Sequence, residues 1–268
     1  QNDKLAAAEL EFHRAVDLAP TYAFSHWHLG NFFLRQDRAN EAFAELRRAA
    51  ENNHTYREQV FSIAWDYFDK DPAKVEALAS RDPNSLARLA LFFAARGQAD
   101  DSLRIWNQLS DADKSTFPEV GKNIAQGLFV KRFFPQALEF SRQLGLDTES
   151  FPVTVTNGGF ERGVGAQDES RFDWRINRND PKVDVSTDNV VKHDGRRSVR
   201  FSFRNYAKQD FYNLFQTIVV EPQANYRLSF WVRTENLKGS AIPFIQVINA
   251  NDDRSIAASR SFQPGTTD

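Results

Sequence analysis

The sequence predicts a mixed chain of 268 residues. An N-terminal all-α solenoid covers 1–147, a linker covers 148–152, and a C-terminal antiparallel β-sandwich covers 153–268. Three observations predict this. Apolar and small residues recur in helical register, at an offset of 34 residues, in the first half. From Val153 the apolar period drops to two. At the border lies "FPVTVTNGGFERG" (151–163), a short alternating run that ends in a glycine-rich turn. The length alone favours two domains.

In the helical half, Ala8, Phe12 and Ala15 align with Ala42, Leu46 and Ala49. Ser102, Trp106 and Leu109 keep the same spacing, as do Ala137, Ser141 and Leu144. An upstream partner helix shows its own pattern: Leu29-Gly30 with Phe33, Ile63-Ala64 with Tyr67, Leu89-Ala90 with Phe93, and Ile124-Ala125 with Leu128. Small residues at Gly30, Ala64, Ala90 and Ala125 let two helices approach, while the larger neighbours fill the seam. Pro20 and Pro83 are read as helix terminators, and Gly97 as the turn between paired helices.

This periodicity resembles the tetratricopeptide repeat, a helix–turn–helix unit of about 34 residues. The first unit has only its second helix. "DKDPAKVEALASRDPN" (69–84) is too short for a full second helix, so a contracted unit is expected there. The resemblance implies a groove, lined by the first helix of each repeat, for a protein or peptide partner. Helical spacing puts Phe24, Trp27 and Asn31, then Phe61, Trp65 and Phe68, on that face. The competing reading is that these aromatics pack between helices.

In the second half, "SVRFSF" alternates Val199, Phe201 and Phe203 with polar residues, and "YRLSFWVR" alternates Tyr226, Leu228, Phe230 and Val232 with Arg227, Ser229, Trp231 and Arg233. Alternation of this kind marks half-buried antiparallel strands. "VTVT", "KVDVS", "FYNLFQTIVV", "IPFIQVIN" and "IAASRSF" add further strands, separated by turn clusters such as "KHDG" and "EPQAN". About eight short strands without a long helix predict a β-sandwich or jelly roll. In the turn, Asn157-Gly158-Gly159 is expected to need positive φ, and Phe160 to anchor the core.

The order "NGGFERG", "FDWRI", "HDGRRSVRFSF" and "LFQTIVVEPQANYRLSFWVRTENLKG" resembles the jelly-roll carbohydrate-binding modules of families 4, 9 and 22, in the galactose-binding-like superfamily. In those modules a further strand follows a segment like the terminal "PGTTD", so the sandwich is expected to lack its last strand or strands. The resemblance implies a glycan ligand and a candidate structural calcium held by Glu161. Under the alternation, Trp231, Ser229 and Arg233 leave the core on one face, and Gln216 and Gln246 join them from neighbouring strands. The competing reading has Trp231 packed against other protein.

Composition bounds the chemistry. There is no Cys, which removes disulfides and thiolate metal sites. Net charge is −2, split as −4 up to residue 150 and +2 beyond it, so nucleic acid is not an expected partner. The basic run Arg196, Arg197, Arg200, Arg204 and Lys208 reads as a solvated strand face. His26 and His28 lie two apart and point away from each other, which does not suit a shared metal. His193 is the single His of the second half and sits in a turn. Asp168, Glu169, Asp173, Asp180, Asp184 and Asp188 read as turn and surface carboxylates. No nucleophile–base pair or phosphate loop stands out, so catalysis is not expected.

No apolar run approaches the ~20 residues of a membrane span. The chain lacks Met and opens in helical pattern, and it reads as a fragment or processed product. The expected function is a non-catalytic scaffold that binds protein through the repeats, with a sandwich that is a candidate glycan binder. The expected location is the bacterial periplasm, cell envelope or extracellular space. Two alternatives stand beside it: the soluble tail of a membrane-bound enzyme of surface-polysaccharide assembly, and a purely structural assembly subunit.

Overall fold

The structure, a computed structural model, describes residues 2–165, 170–177, 181–204, 213–239 and 242–267. The chain divides into two compact units, Gln1–Lys131 and Arg132–Asp268. The division falls one helix earlier than the border read from the sequence, so the last helix belongs with the strands.

The first unit carries α1 (Asn2–Leu18), α2 (Ala23–Leu34), α3 (Ala39–Asn52), α4 (His54–Tyr67), α5 (Pro72–Glu76), α6 (Pro83–Ala95), α7 (Ala99–Trp106), α8 (Asp111–Thr116) and α9 (Pro118–Val130). Helix α2 packs on α3, and α6 on α7, as two helix–turn–helix repeats. In α3 the buried residues Ala42, Phe43, Leu46, Ala49 and Ala50 recur every three to four positions and form one stripe. Gly30 makes the α2–α3 approach close: a Cβ there would sit 2.7 Å from Leu46 Cγ and 3.0 Å from the Ala42 carbonyl oxygen. In the second pair the Ser102 hydroxyl donates to the Ala90 carbonyl oxygen at 2.7 Å. Gly97 takes φ 78° in the turn between α6 and α7, as expected.

The contracted unit is α5, only five residues long. Its start is over-determined: Asp71 caps the Ala73 amide, and Pro72 occupies the first turn, where no N–H is needed. The same device opens α6, with Asp82 capping Ser85 and Pro83 in the first turn. Pro83 therefore starts a helix and does not end one. Its fixed φ suits a helical first turn as well as it excludes a helix interior. Pro20 follows the end of α1. No helix among the described residues is long and apolar enough to cross a membrane.

Among its described residues the second unit carries α10 (Phe134–Gln143) and eight short strands: β1 (Arg175–Ile176), β2 (Val183–Asp188), β3 (Ser198–Phe203), β4 (Leu214–Phe215), β5 (Thr234–Leu237), β6 (Gln246–Ile248), β7 (Ser255–Ala258) and β8 (Gly265–Thr267). They form four antiparallel pairs, β1–β4, β2–β3, β5–β8 and β6–β7. The longest pair is β2–β3, with Val183 opposite Phe203 and Val185 opposite Phe201. Val183 and Val185 are buried, as is Phe172. Among the described residues these ladders do not join into one closed sheet.

The segment "YRLSFWVR" departs from expectation. It forms no ladder among the described residues, and Tyr226, Leu228, Phe230 and Val232 are all exposed. Period-two alternation reports which side chains could share a face. A ladder also needs a neighbouring strand, and among the described residues none pairs with this stretch.

Candidate ligand-binding site

The turn 157–163 is tied down from four directions. The Asn157 side chain spans it, its Nδ2 donating to the Gly163 carbonyl oxygen at 2.8 Å and its Oδ1 accepting from the Arg162 amide at 3.2 Å. The Trp174 indole N–H donates to the Asn157 carbonyl oxygen at 3.1 Å, and the Phe160 and Trp174 rings lie 5.3 Å apart. Positive φ falls on Asn157 (50°), Phe160 (59°) and Gly163 (79°), not on Gly158 or Gly159. Asn tolerates the left-handed region through its own polar contacts. The packing against Trp174 holds Phe160 in that region.

Glu161, the expected calcium ligand, is committed elsewhere. Its Oε1 accepts from the backbone amides of Arg196 at 2.8 Å and Arg197 at 3.3 Å, and its Oε2 lies 3.5 Å from the Arg196 Nε. These amide bonds, the Arg196 one first, hold its pKa below the usual glutamate value. A carboxylate with one oxygen taken by two amide N–H groups and the other beside a guanidinium fits a calcium ion poorly, since the ion needs oxygen neighbours. Among the described residues no three His, Cys, Asp or Glu side chains gather as a metal set.

The expected sugar face is partly dispersed. Gln216 is structural: its Nε2 donates to the Thr156 carbonyl oxygen at 2.8 Å and its Oε1 accepts from the Thr156 amide at 3.0 Å. It mimics a ladder pair and, with the Val153 amide on the Val219 carbonyl, ties 153–156 to 216–219. Gln246 donates to the Ser255 hydroxyl across β6–β7. Ser229, Trp231 and Arg233 are exposed.

Trp231 is the informative one. It is 77% exposed, and the His193 ring stacks on it at 4.0 Å between centroids and 11° between planes. Such a stack fixes the indole's orientation. His193 is in turn paired with Asp194. From the sequence His193 reads only as a turn residue. Only the fold brings the turn at 193 beside 231.

The basic run is also partly spent. Besides Arg196, Arg200 reaches Asp188 at 3.3 Å, and Asp188 accepts from the Val190 and Val191 amides. Asp188 is buried, which corrects its reading as a surface residue. Its pKa is lowered by those amides, Val191 first. Lys208, Asp168, Glu169 and Asp180 lie outside the described residues.

In the helical unit the proposed groove splits. Phe61 and Trp65 are core residues, packed against Phe92 at 5.6 and 6.1 Å. The contracted α5 gives α4 no full-length second helix, and α6 covers its face instead. Phe68 is half-buried beside Phe43. The first set stays accessible: Phe24 is exposed between Tyr22 and His28, and Trp27 stacks on Tyr56 at 4.9 Å. Asn31 is held by its own helix, Nδ2 donating to the Trp27 carbonyl oxygen. Below this patch the sequence reading missed a buried polar pair. His26 Nδ1 lies 2.6 Å from Glu45 Oε2, and its Nε2 lies 2.8 Å from the Pro20 carbonyl oxygen.

The region that holds this turn and Trp231 has a family match. Residues 154–262 match a carbohydrate binding domain. Solved structures similar to the chain include MamA, at 13% identity over 53% of this chain and 88% of that one, with a TM-score of 0.28. Another is YrrB, described as a TPR protein with an unusual peptide-binding site, at 15% identity over 53% and 77%, with a TM-score of 0.27. Comparison with curated proteins gives no match. The repeat reading of the first unit rests on its own helices. The carbohydrate binding domain match covers most of the strands of the second unit, and among the described residues of its span Trp231 is the large aromatic most open to solvent.

Proposed function

We propose that this chain is a non-catalytic binding scaffold, with a carbohydrate-binding β unit and a protein-binding repeat unit. The observation that carries the glycan reading is Trp231, exposed and stacked on His193 within the matched domain. Sugar rings bind by laying their C–H faces on flat aromatic surfaces with polar groups at the edge. Ser229 and Arg233, exposed along the same segment, supply such groups. The repeat unit's ligand surface is the patch of Tyr22, Phe24, Trp27, His28 and Tyr56.

A glycan array with wild type and Trp231→Ala tests this. The expected result is selective binding that weakens about tenfold in the variant. Equal binding by the two proteins, or none by wild type, sinks the sugar platform.

A second reading, an assembly subunit, is favoured by the exposed row Tyr226, Leu228, Phe230 and Val232. Contiguous exposed apolar surface marks interfaces. Light scattering that finds a monomer at all concentrations would count against it.

A further inference from the structure

Trp231 stands among cations. The segment 224–233 runs without a turn or bend into β5. Successive side chains of an extended chain alternate between faces, so Arg227, Ser229, Trp231 and Arg233 share one. At about 3.3 Å per residue, the two arginines lie about 13 and 7 Å along the segment from the indole. "YRLSFWVR" itself contains no carboxylate, and Arg227 closes no ion pair among the described residues.

A second set of cations comes with His193, whose ring lies on the indole. Its loop is closed where the Ser198 hydroxyl donates to the Val191 carbonyl oxygen at 2.5 Å, and pinned where Glu161 accepts the Arg196 and Arg197 amides. Residues 191–198 carry Lys192, Arg196 and Arg197 against one carboxylate, Asp194. Asp194 pairs with His193, and Glu161 lies beside Arg196. Lys192 donates to the Asn189 carbonyl oxygen. The charges of Lys192 and Arg197 act on Asp188 and Glu161 without closing an ion pair among the described residues. Both side chains are exposed. Lys192 adjoins His193 in the chain, its Cα about 3.8 Å from that of the stacked residue.

We propose that Trp231 and these cations form a subsite for an anionic sugar, a ring that carries a carboxylate or a sulfate. The inference rests on the reading of Trp231 as a sugar platform and adds the charge of its ligand. A sugar laid on the open indole face points its substituents outwards at the rim. Long, exposed Arg and Lys side chains can swing towards an anionic substituent there, and Arg takes a carboxylate or sulfate with two parallel N–H donors. A neutral glycan would use the indole alone and leave the cations to solvent. Single-stranded nucleic acid stacks successive bases on a row of aromatics, and this face of the segment carries one. An acidic peptide has no ring to lay on the indole.

The test is calorimetric titration of the full chain with an oligogalacturonate and with its methyl ester, which keeps the rings and removes the charge. A sulfated galactan of similar length and a dT oligonucleotide are run beside them. Expected is binding of the acid about tenfold tighter than of the ester, the worth of two or more exposed ion pairs, with the ratio shrinking as salt rises. Arg227→Gln and the double variant Lys192→Gln/Arg197→Gln should bring the ratio towards one, and Trp231→Ala should weaken both ligands. The sulfated galactan bound in place of the uronate, with the same salt and variant dependence, supports the subsite and puts its charge on sulfate. Equal binding of acid and ester, with no sulfated galactan bound, overturns the proposal and leaves the platform. A ratio untouched by both cation variants, acid binding undiminished in Trp231→Ala, or the oligonucleotide bound more tightly than either anionic glycan overturns it as well. Neutral glycans bound on the array with neither anionic glycan bound here sink the anionic subsite alone, whereas no glycan bound in either experiment sinks the platform with it.

Discussion

Glu161 holds the 195–197 turn by its backbone: the Arg196 and Arg197 amides both donate to one carboxylate oxygen, Oε1. Gly195 is what lets the carboxylate come so near. Its φ is +66°, and a Cβ there would sit 2.2 Å from that same oxygen. Gly195→Ala is therefore expected to destabilise the β unit by about 1–3 kcal/mol, from left-handed strain plus the displaced carboxylate. Gly158→Ala and Gly159→Ala are expected to cost little, since an added Cβ would meet neighbours no closer than 3.6 Å. Urea denaturation of the three variants checks this ranking, and a Gly158 variant as damaged as the Gly195 one would refute it.

The same carboxylate sets a pH dependence. Backbone amides lower the folded pKa of Glu161 and of Asp188, Glu161 through Arg196 first and Asp188 through Val191 first. A depressed carboxylate stabilises the fold above its unfolded pKa and loses that contribution as pH falls through the lower folded value. Stability is thus expected to be level near neutrality and to fall from roughly pH 5 towards pH 3. Glu161→Gln should be less stable at neutral pH and less acid-sensitive. An unchanged acid slope in that variant would mean that Glu161 does not contribute.

How much of this was legible in the sequence depends on how local each signal is. The contracted α5 was legible because Asp71-Pro72 and the short spacing before Pro83 are local facts about chain length and capping. Strand β3 was legible as "SVRFSF" because alternation and a paired partner coincide there. "YRLSFWVR" was misread because alternation is local while ladder formation depends on a partner strand. Gln216 was misread for a related reason. A planar amide suits a sugar and a backbone clamp equally, and only the proximity of Thr156 decides. His193 on Trp231 arises from residues far apart in sequence, with no spacing to announce it.

His26 and Glu45 make a buried pair whose partners are unequal in kind. Both neighbours of the imidazole, the Glu45 carboxylate and the Pro20 carbonyl, are acceptors. Glu45 is also held by Arg48 at 2.7 Å. His26→Ala removes the ring from between these two oxygens, so a loss of about 1–3 kcal/mol is expected in chemical denaturation. Glu45→Gln keeps an acceptor for the ring and should cost less. A double-mutant cycle should give a coupling energy well above ~0.5 kcal/mol, the scatter expected of independent sites. Additive losses would show that the two side chains act separately.

The division of the aromatic residues in the repeat unit separates binding from folding. Phe61 is 1% exposed and packs edge-on to Phe92, whereas Phe24 is 49% exposed with Tyr22 and His28 beside it. Phe61→Ala should therefore cost about 3–5 kcal/mol of stability, the transfer and cavity cost of a core phenylalanine. Phe24→Ala should leave the melting curve within about 0.5 kcal/mol of wild type. If the patch is the ligand surface, Phe24→Ala and Trp27→Ala should weaken peptides selected against the wild-type chain, each by about tenfold or more. Trp27→Ala also removes the stack on Tyr56, so its stability must be measured beside its affinity. Selected peptides that bind Phe24→Ala and wild type alike would place the ligand surface elsewhere on the repeats.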